Sequence, residues 1–219
     1  MQILFLGAPG AGKGTQCQKL AEKLAIPHLS SGDLLREAVK QGTDAGKRAK
    51  EYMDRGDLVP DEVLIAMFRE RLTSDEMRRG FILDGFPRNL AQARSLDELL
   101  VEINRTLSIV INLSTSDELL EERIVGRRVC PNKSCNAVYH VKFKPPAKEG
   151  ICDLCQTELN HRSDDKPEVV KQRLKNYREL TEPLIKYYDE KGLLETINGE
   201  GAPQEVYEHL LERLKVACS

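Results

Sequence analysis

The sequence predicts an α/β fold, a doubly wound five-stranded parallel sheet interrupted by two inserts. Three observations lead there. Short apolar runs alternate with segments of helical period along the chain. The runs are apolar at nearly every position, as strands buried on both faces must be. Between residues 126 and 165 the helical period stops, and cysteines, prolines and glycines take over.

Local composition places each element. Ile3-Leu4-Phe5-Leu6 marks the first strand, within residues 2–6. After a glycine-rich turn, Cys17, Leu20, Ala21 and Leu24 recur at helical spacing. Residues 27–29 form a short second strand, and Ser30-Ser31-Gly32-Asp33 is a turn that starts a helix. Polar helices over 34–41, 44–55 and 61–72 are punctuated by Gly42, Gly56 and Pro60. Phe81-Ile82-Leu83 is the third strand and runs into Asp84-Gly85-Phe86-Pro87-Arg88, with a helix to about residue 100. Residues 107–113, rich in β-branched side chains, form the fourth strand. A helix then runs from about 117 to 128. Beyond the insert, with its β-like Val138-Tyr139-His140-Val141, helical pattern holds from 168 through 188. A fifth strand at 193–197 and a last helix at 203–216 complete the chain.

Composition narrows the function. The 219 residues carry 33 Lys+Arg against 35 Asp+Glu, a formal charge of -2, which argues against a surface devoted to nucleic acid or anionic membrane. No stretch nears the roughly 20 apolar residues of a membrane span. With the first strand starting at Gln2, a cytoplasmic, monomeric chain without a leader is expected.

Gly7-Ala8-Pro9-Gly10-Ala11-Gly12-Lys13-Gly14-Thr15 sits between first strand and first helix and satisfies G-x-x-x-x-G-K. Glycines let backbone N–H groups converge on phosphate oxygens, and the helix N-terminus adds its dipole. Gly10, Ala11, Gly12 and Gly14 are therefore candidate contacts to a nucleoside triphosphate. Lys13 supplies charge to the outer phosphates, and Thr15 places a hydroxyl near the metal or the α-phosphate. Asp84 ends a buried strand, where a carboxylate is costly unless it serves a metal or its waters. It is assigned to Mg²⁺ through water, the alternative being a turn or helix-cap aspartate. Asp33 is open between capping and metal-water contact.

Cys130-x4-Cys135 and Cys152-x2-Cys155 are two close pairs separated by 16 residues. Such pairs on two turns set four thiolates at the corners of a tetrahedron, suited to structural Zn²⁺ in an insert too small to bury much core. Cys17 reads as a core residue, and Cys218 as part of a frayed end.

The phosphate loop, Ser31-Gly32-Asp33-Leu34-Leu35-Arg36, Asp84–Arg88, Arg123-Ile124-Val125-Gly126-Arg127-Arg128 and Arg162-Ser163-Asp164-Asp165 together resemble the adenylate kinase family, of the bacterial type with a zinc-bearing lid. That resemblance implies a P-loop NTPase-like fold and the reaction of MgATP with AMP to give two ADP. It implies AMP contacts from Ser31, Arg36, the backbone of Asp57, Leu58 and Val59, the stretch Gly85, Phe86, Pro87 and Arg88, and from Gln92 at the adenine edge. Arg123 and Arg127 would face ATP, Val138 and Tyr139 would lie near its base, and Gly201 would offer that base a carbonyl. Arg162 and Arg173 would clamp the transferring phosphoryl group. The wide first cysteine pair departs from the usual spacing of two.

The chemistry of the residues agrees. A phosphate acceptor is already anionic, so phosphoryl transfer needs positioning and charge cancellation more than a base, and arginine forks suit phosphate. The resemblance divides the chain into a core (1–29, 60–125 and 166–219), an AMP-binding flap (30–59) and a zinc-binding lid (126–165). Flap and lid are expected to close over the nucleotides, with Gly56, Gly126 and Pro167 near the hinges. Two other readings remain. One keeps the chemistry with GTP as donor. The other is a P-loop switch or zinc regulator, for which Asn132-Lys133-Ser134-Cys135 lacks the aspartate that guanine recognition needs.

Overall fold

The computed structural model of the protein describes residues 1–132 and 134–217. Lys133 and Cys218 lie outside the described residues. The elements in order are β1 (Gln2–Gly7), α1 (Lys13–Leu24), β2 (His28–Ser30), α2 (Ser31–Gln41), α3 (Asp44–Arg55), α4 (Asp61–Leu72), β3 (Phe81–Asp84), α5 (Leu90–Glu102), β4 (Ile109–Ser114), α6 (Asp117–Val125), β5 (Arg127–Val129), β6 (Val138–His140), α7 (Pro167–Asn176), α8 (Pro183–Asp189), β7 (Leu194–Asn198) and α9 (Pro203–Ala217).

Five strands form one parallel sheet in the order β2-β3-β1-β4-β7. The sheet is buried on both faces, and alternate residues supply the two halves of the core. Leu4, Leu6, Phe81, Leu83 and Val110 point into a layer with Phe68, Leu96 and Tyr188. Ile3, Phe5, Ile82, Ile109 and Ile111 point into the other, with Leu20, Leu120 and Leu210. This period of two on the apolar runs Ile3–Leu6, Phe81–Leu83 and Ile109–Ile111 is why the central strands read as continuous apolar segments. The chain reverses direction across the sheet around β1, which places the carboxyl ends of β1 and β3 at the crevice where such folds bind ligands.

One local expectation is corrected. The helix expected to reach Arg128 stops at Val125, because Arg127–Val129 pairs antiparallel with Val138–His140 in a small separate sheet. The helical pattern over 168–188 resolves into α7 and α8, joined by a π-turn at Tyr177–Thr181 ahead of Pro183, which has no N–H to donate. The helix start expected at Ser30–Asp33 holds, α2 beginning at Ser31 with Ser30 as its N-cap accepting from Asp33 N at 3.3 Å. Among the described residues, no helix is long and apolar enough to cross a membrane.

Candidate active site

β1 ends at Gly7 and the chain turns into α1 through a loop packed against α6. At Gly10 the backbone has φ 88°, and a Cβ would sit 2.7 Å from Leu120 O, so no side chain fits. α1 has neither a side-chain cap nor an acidic residue in its first turn. The side chains of Ser30, Thr43 and Asn89 cap α2, α3 and α5 in the usual way. The bare positive end of α1 is thus built for an anion. Lys13 leads that turn and folds back, its Nζ donating to Gly7 O at 2.7 Å and Ala8 O at 2.9 Å. Burial pushes its pKa down to about 8, against the partial support of Asp84.

β3 delivers Asp84 and the turn after it. Asp84 is 9% exposed and sits beside His28 on the neighbouring strand, Oδ2 to Nε2 3.4 Å. Burial pushes its carboxyl up, but the His28 ring, Lys13 and Arg88 outweigh that and hold it below the usual carboxylate range. It is therefore an ionised carboxylate facing the phosphate loop, with the acceptor oxygens that a magnesium-bound water would donate to. Beyond it, Ser31 Oγ donates to Gly85 O at 2.6 Å, and Arg88 donates to Gly85 O at 2.7 Å and to Ser31 Oγ at 2.9 Å. Gln92 is fully buried; its amide oxygen accepts from Arg88 N and its nitrogen donates to Asp61, both at 2.7 Å. Thr181 donates to Arg88 O at 2.7 Å, so the π-turn also holds this corner.

The cations crowd one crevice. Burial, then neighbouring Arg173, lowers Arg88 to about 10, and burial, then Arg36 and Arg127, lowers Arg162 to about 10. Such groups repel one another in a desolvated space, and phosphate oxygens are the chemistry that relieves them. Acids partition the cluster. Arg36 donates to Asp33 at 2.7 Å. Buried Asp165 accepts from Arg127 Nε and Nη2 at 2.8 and 2.6 Å and from Arg173 Nη1 at 3.0 Å. Replacing Asp165 by asparagine leaves the Arg127 guanidinium without its carboxylate and Arg173 with Asp164 alone, 3.1 Å away. A loss of about 3 kcal/mol in denaturant unfolding is expected; a loss below about 1 kcal/mol would mean that the arginines find water instead.

The insert is a separate small unit. Its four cysteine Sγ atoms lie within 4.8 Å of one another, with Cys130 to Cys155 at 3.4 Å and Cys135 to Cys152 at 3.6 Å. A tetrahedron with Zn–S of about 2.3 Å has edges of about 3.8 Å, so the thiols stand close to ligand positions. Cys155 also lies 3.3 Å from Thr157 Oγ1, a hydroxyl able to stabilise a thiolate. Tyr139 is 4% exposed; its hydroxyl accepts from Asp153 N at 2.9 Å and lies 3.6 Å from Cys152 Sγ, so the ring belongs to the lid's interior. His140 joins the lid to α6: its Nδ1 accepts from Lys142 N and Phe143 N, and Nε2 lies 3.0 Å from Glu122 O. At Gly126 a Cβ would meet His140 Nε2 at 2.2 Å. Close packing therefore explains that glycine, which the sequence offered as a hinge or a helix terminator and which does end α6 as its C-cap.

Of the sequence-predicted residues, Lys13, Arg36, Ser31, Asp84, Gly85, Arg88, Arg127, Arg162 and Arg173 share this crevice, each coupled electrostatically or by hydrogen bond to another. Arg123 lies to the side, donating to Gly199 O at 2.8 Å and Glu200 O at 3.2 Å, next to Gly201. Asp57 accepts from Arg55 at 3.3 Å on the flap side, beside Leu58 and buried Val59. Sequence reasoning missed Asp61, His28 and the role of Asp165. Only the Arg162-Ser163-Asp164-Asp165 motif carried a signal for the last.

Comparison with known proteins supplies the family. The adenylate kinase family model matches residues 5–193. An adenylate kinase of Geobacillus sp. (strain WCH70) is 50% identical over 214 residues, covering 98% of each chain. One of Thermodesulfovibrio yellowstonii is 52% identical over 94% of this chain and 95% of its own. One of Archaeoglobus fulgidus is 51% identical over 98% of this chain and 100% of its own.

Proposed function

The chain belongs to the adenylate kinase family, and on that premise we propose how its crevice transfers the terminal phosphoryl group of MgATP to AMP, reversibly, to give two ADP. The observation that carries the reading is the pairing of two anion cradles across one group of cations. The open N-terminus of α1 with Lys13 takes the donor phosphates. Ser31, Arg36, Gly85 and Arg88 take the acceptor phosphate. Arg127, Arg162 and Arg173 stand between them, and Arg123, with Gly201 near its loop, borders the donor side.

The acceptor oxygen carries its own charge, so the protein's task is to align it and to cancel charge on the phosphoryl group in flight. Arginine forks do this in bidentate fashion, and Lys13 adds a point charge. Magnesium bound with ATP would neutralise charge on its phosphate oxygens, and Asp84 is the carboxylate that would hold one of the metal's waters. Gln92 reads the adenine of AMP in this scheme by exchanging its bond to Asp61 or Arg88 N for the base edge. Val138 lies near the donor base, while Tyr139 serves through the shape of the lid. Zinc on Cys130, Cys135, Cys152 and Cys155 would staple the lid and take no part in the chemistry, because four protein ligands leave no open position.

Donor choice is checked by mixing AMP with ATP or with GTP and following nucleoside diphosphate formation. Rapid, AMP-dependent ADP formation with ATP preferred is expected. A strong preference for GTP would move the enzyme to the GTP:AMP branch, and nucleotide binding without transfer would make it a switch. The flap (30–59) and lid (126–165) close together in this reading. Ser163 Oγ of the lid donates to Asp54 Oδ1 of the flap at 3.3 Å, so the two segments touch, and Asn176 of the core donates to Gly56 O at 2.9 Å, tying the end of the flap to the core. Amide exchange in both segments should slow when a bisubstrate analogue binds; unchanged exchange would rule closure out. The same reading makes the enzyme a cytoplasmic monomer, with a solution mass of one chain.

A further inference from the structure

A second group of metal-ligating side chains lies under the phosphate loop, remote in sequence from the lid cysteines. Cys17 is on α1, four residues after Lys13 and so on the same helix face. His28 opens β2 and Asp84 closes β3, the two strands being paired neighbours. Cys17 Sγ, an imidazole nitrogen of His28 and a carboxylate oxygen of Asp84 all lie within 4.8 Å of one another. Cys17 is fully buried. His28 Nε2 is also buried and makes no hydrogen bond, although Asp84 Oδ2 is 3.4 Å away.

That separation is informative. Zinc-class bonds of about 2.0–2.1 Å to nitrogen and oxygen, arranged tetrahedrally, give an N···O edge of about 3.3–3.4 Å. A bond of about 2.3 Å to sulfur gives edges of about 3.5 Å, so side-chain movement of about 1.3 Å at most completes the triangle. A thiolate and a carboxylate together balance a divalent charge. Sulfur and imidazole favour a zinc-class cation over magnesium, which demands oxygen ligands in an octahedron.

We propose that Cys17, His28 and Asp84 form a second metal site, taking one thiophilic divalent cation with its fourth position open to water or a phosphate oxygen. The open side faces the phosphate loop, since a Cβ at Gly14 would lie 3.6 Å from Asp84 Oδ2. Binding displaces the Cys17 thiol proton to solvent and forms the metal–sulfur bond. It also withdraws Asp84 from the magnesium of MgATP, so excess zinc inhibits phosphoryl transfer through this site. The inhibition, though not the site, rests on the assignment of Asp84 to magnesium above.

The test counts cations on the full-length protein, titrated with Zn²⁺ against a chromophoric chelator and separately with Co²⁺, whose thiolate charge-transfer absorption reports a cysteine ligand. Wild type should bind two per chain. Cys17→Ala should bind one, with the remaining cobalt absorption coming from the lid, and His28→Gln should weaken the second equivalent at least about tenfold. Cys152→Ser should keep the second equivalent. One cation per chain in wild type, or two in Cys17→Ala, would overturn the site. Cys17→Ala should also turn over normally and resist zinc concentrations that inhibit wild type. A second equivalent that is lost in Cys17→Ala yet leaves wild-type transfer untouched would uphold the site and overturn the magnesium role of Asp84.

Discussion

Lys13→Met is expected to lower turnover by about a thousandfold in a protein that still folds, because a preorganised charge on a transferring group in a desolvated site is worth that much. ADP formation under saturating ATP and AMP measures it; a loss under tenfold would reject the phosphate-loop assignment. The same substitution has a signature in stability. Burial holds the ammonium at about 8 against an ordinary 10.5, so between those values the unfolded chain binds more protons than the folded one. Stability attributable to Lys13 therefore rises with pH. The cost is present in full below pH 8 and fades as pH climbs towards 10.5, by about 3 kcal/mol. Methionine has a similar length and no charge, so the difference in unfolding free energy between variant and wild type should move by that amount over the same window. A difference independent of pH would mean that the ammonium is solvated.

Cys152→Ser carries the second large effect. Cys152 is fully buried, and among the described residues the lid's apolar cluster has Cys130, Tyr139, Cys152 and Leu159 as its buried members. So small a cluster offsets little of the entropy lost in ordering the insert. A structural zinc adds its binding free energy directly to folding. Serine removes one thiolate, and the variant should lose lid zinc and about 10 °C in Tm. Most activity should survive at low temperature, where nucleotides can still gather the lid. An unchanged Tm with lid zinc retained would remove the cysteine from the ligand set. Immediate loss of turnover in a folded variant would give the metal a part in the chemistry.

How far the sequence could be read depended on whether the signal was local. The central strands were legible because burial on both faces demands apolar runs such as Ile3–Leu6 and Phe81–Leu83. The phosphate loop was legible because the backbone at Gly10 has no room for a side chain. The cysteine pairs announced themselves by spacing, and their Sγ atoms do converge. The end of α6 was not legible: Gly126-Arg127-Arg128 continues a helical pattern, and only pairing with Val138–His140 and the press of His140 on Gly126 stop it at Val125. The break in the helix after Asn176 was hidden for a similar reason, since the π-turn places Thr181 on Arg88 O and so answers to a distant element.

The sequence by itself determined the α/β alternation, the anion-binding start of α1 and the four-cysteine insert, each readable from spacing within a few residues, while the set of arginines came from the resemblance of their motifs to the adenylate kinase family. Only the tertiary structure decided which acid meets which partner. Asp165 joins Arg127 to Arg173, Asp61 holds Gln92, and His28 with Cys17 flanks Asp84. Each of these contacts joins residues from different elements, and electrostatic attraction depends on separation in space, which spacing along the chain does not encode.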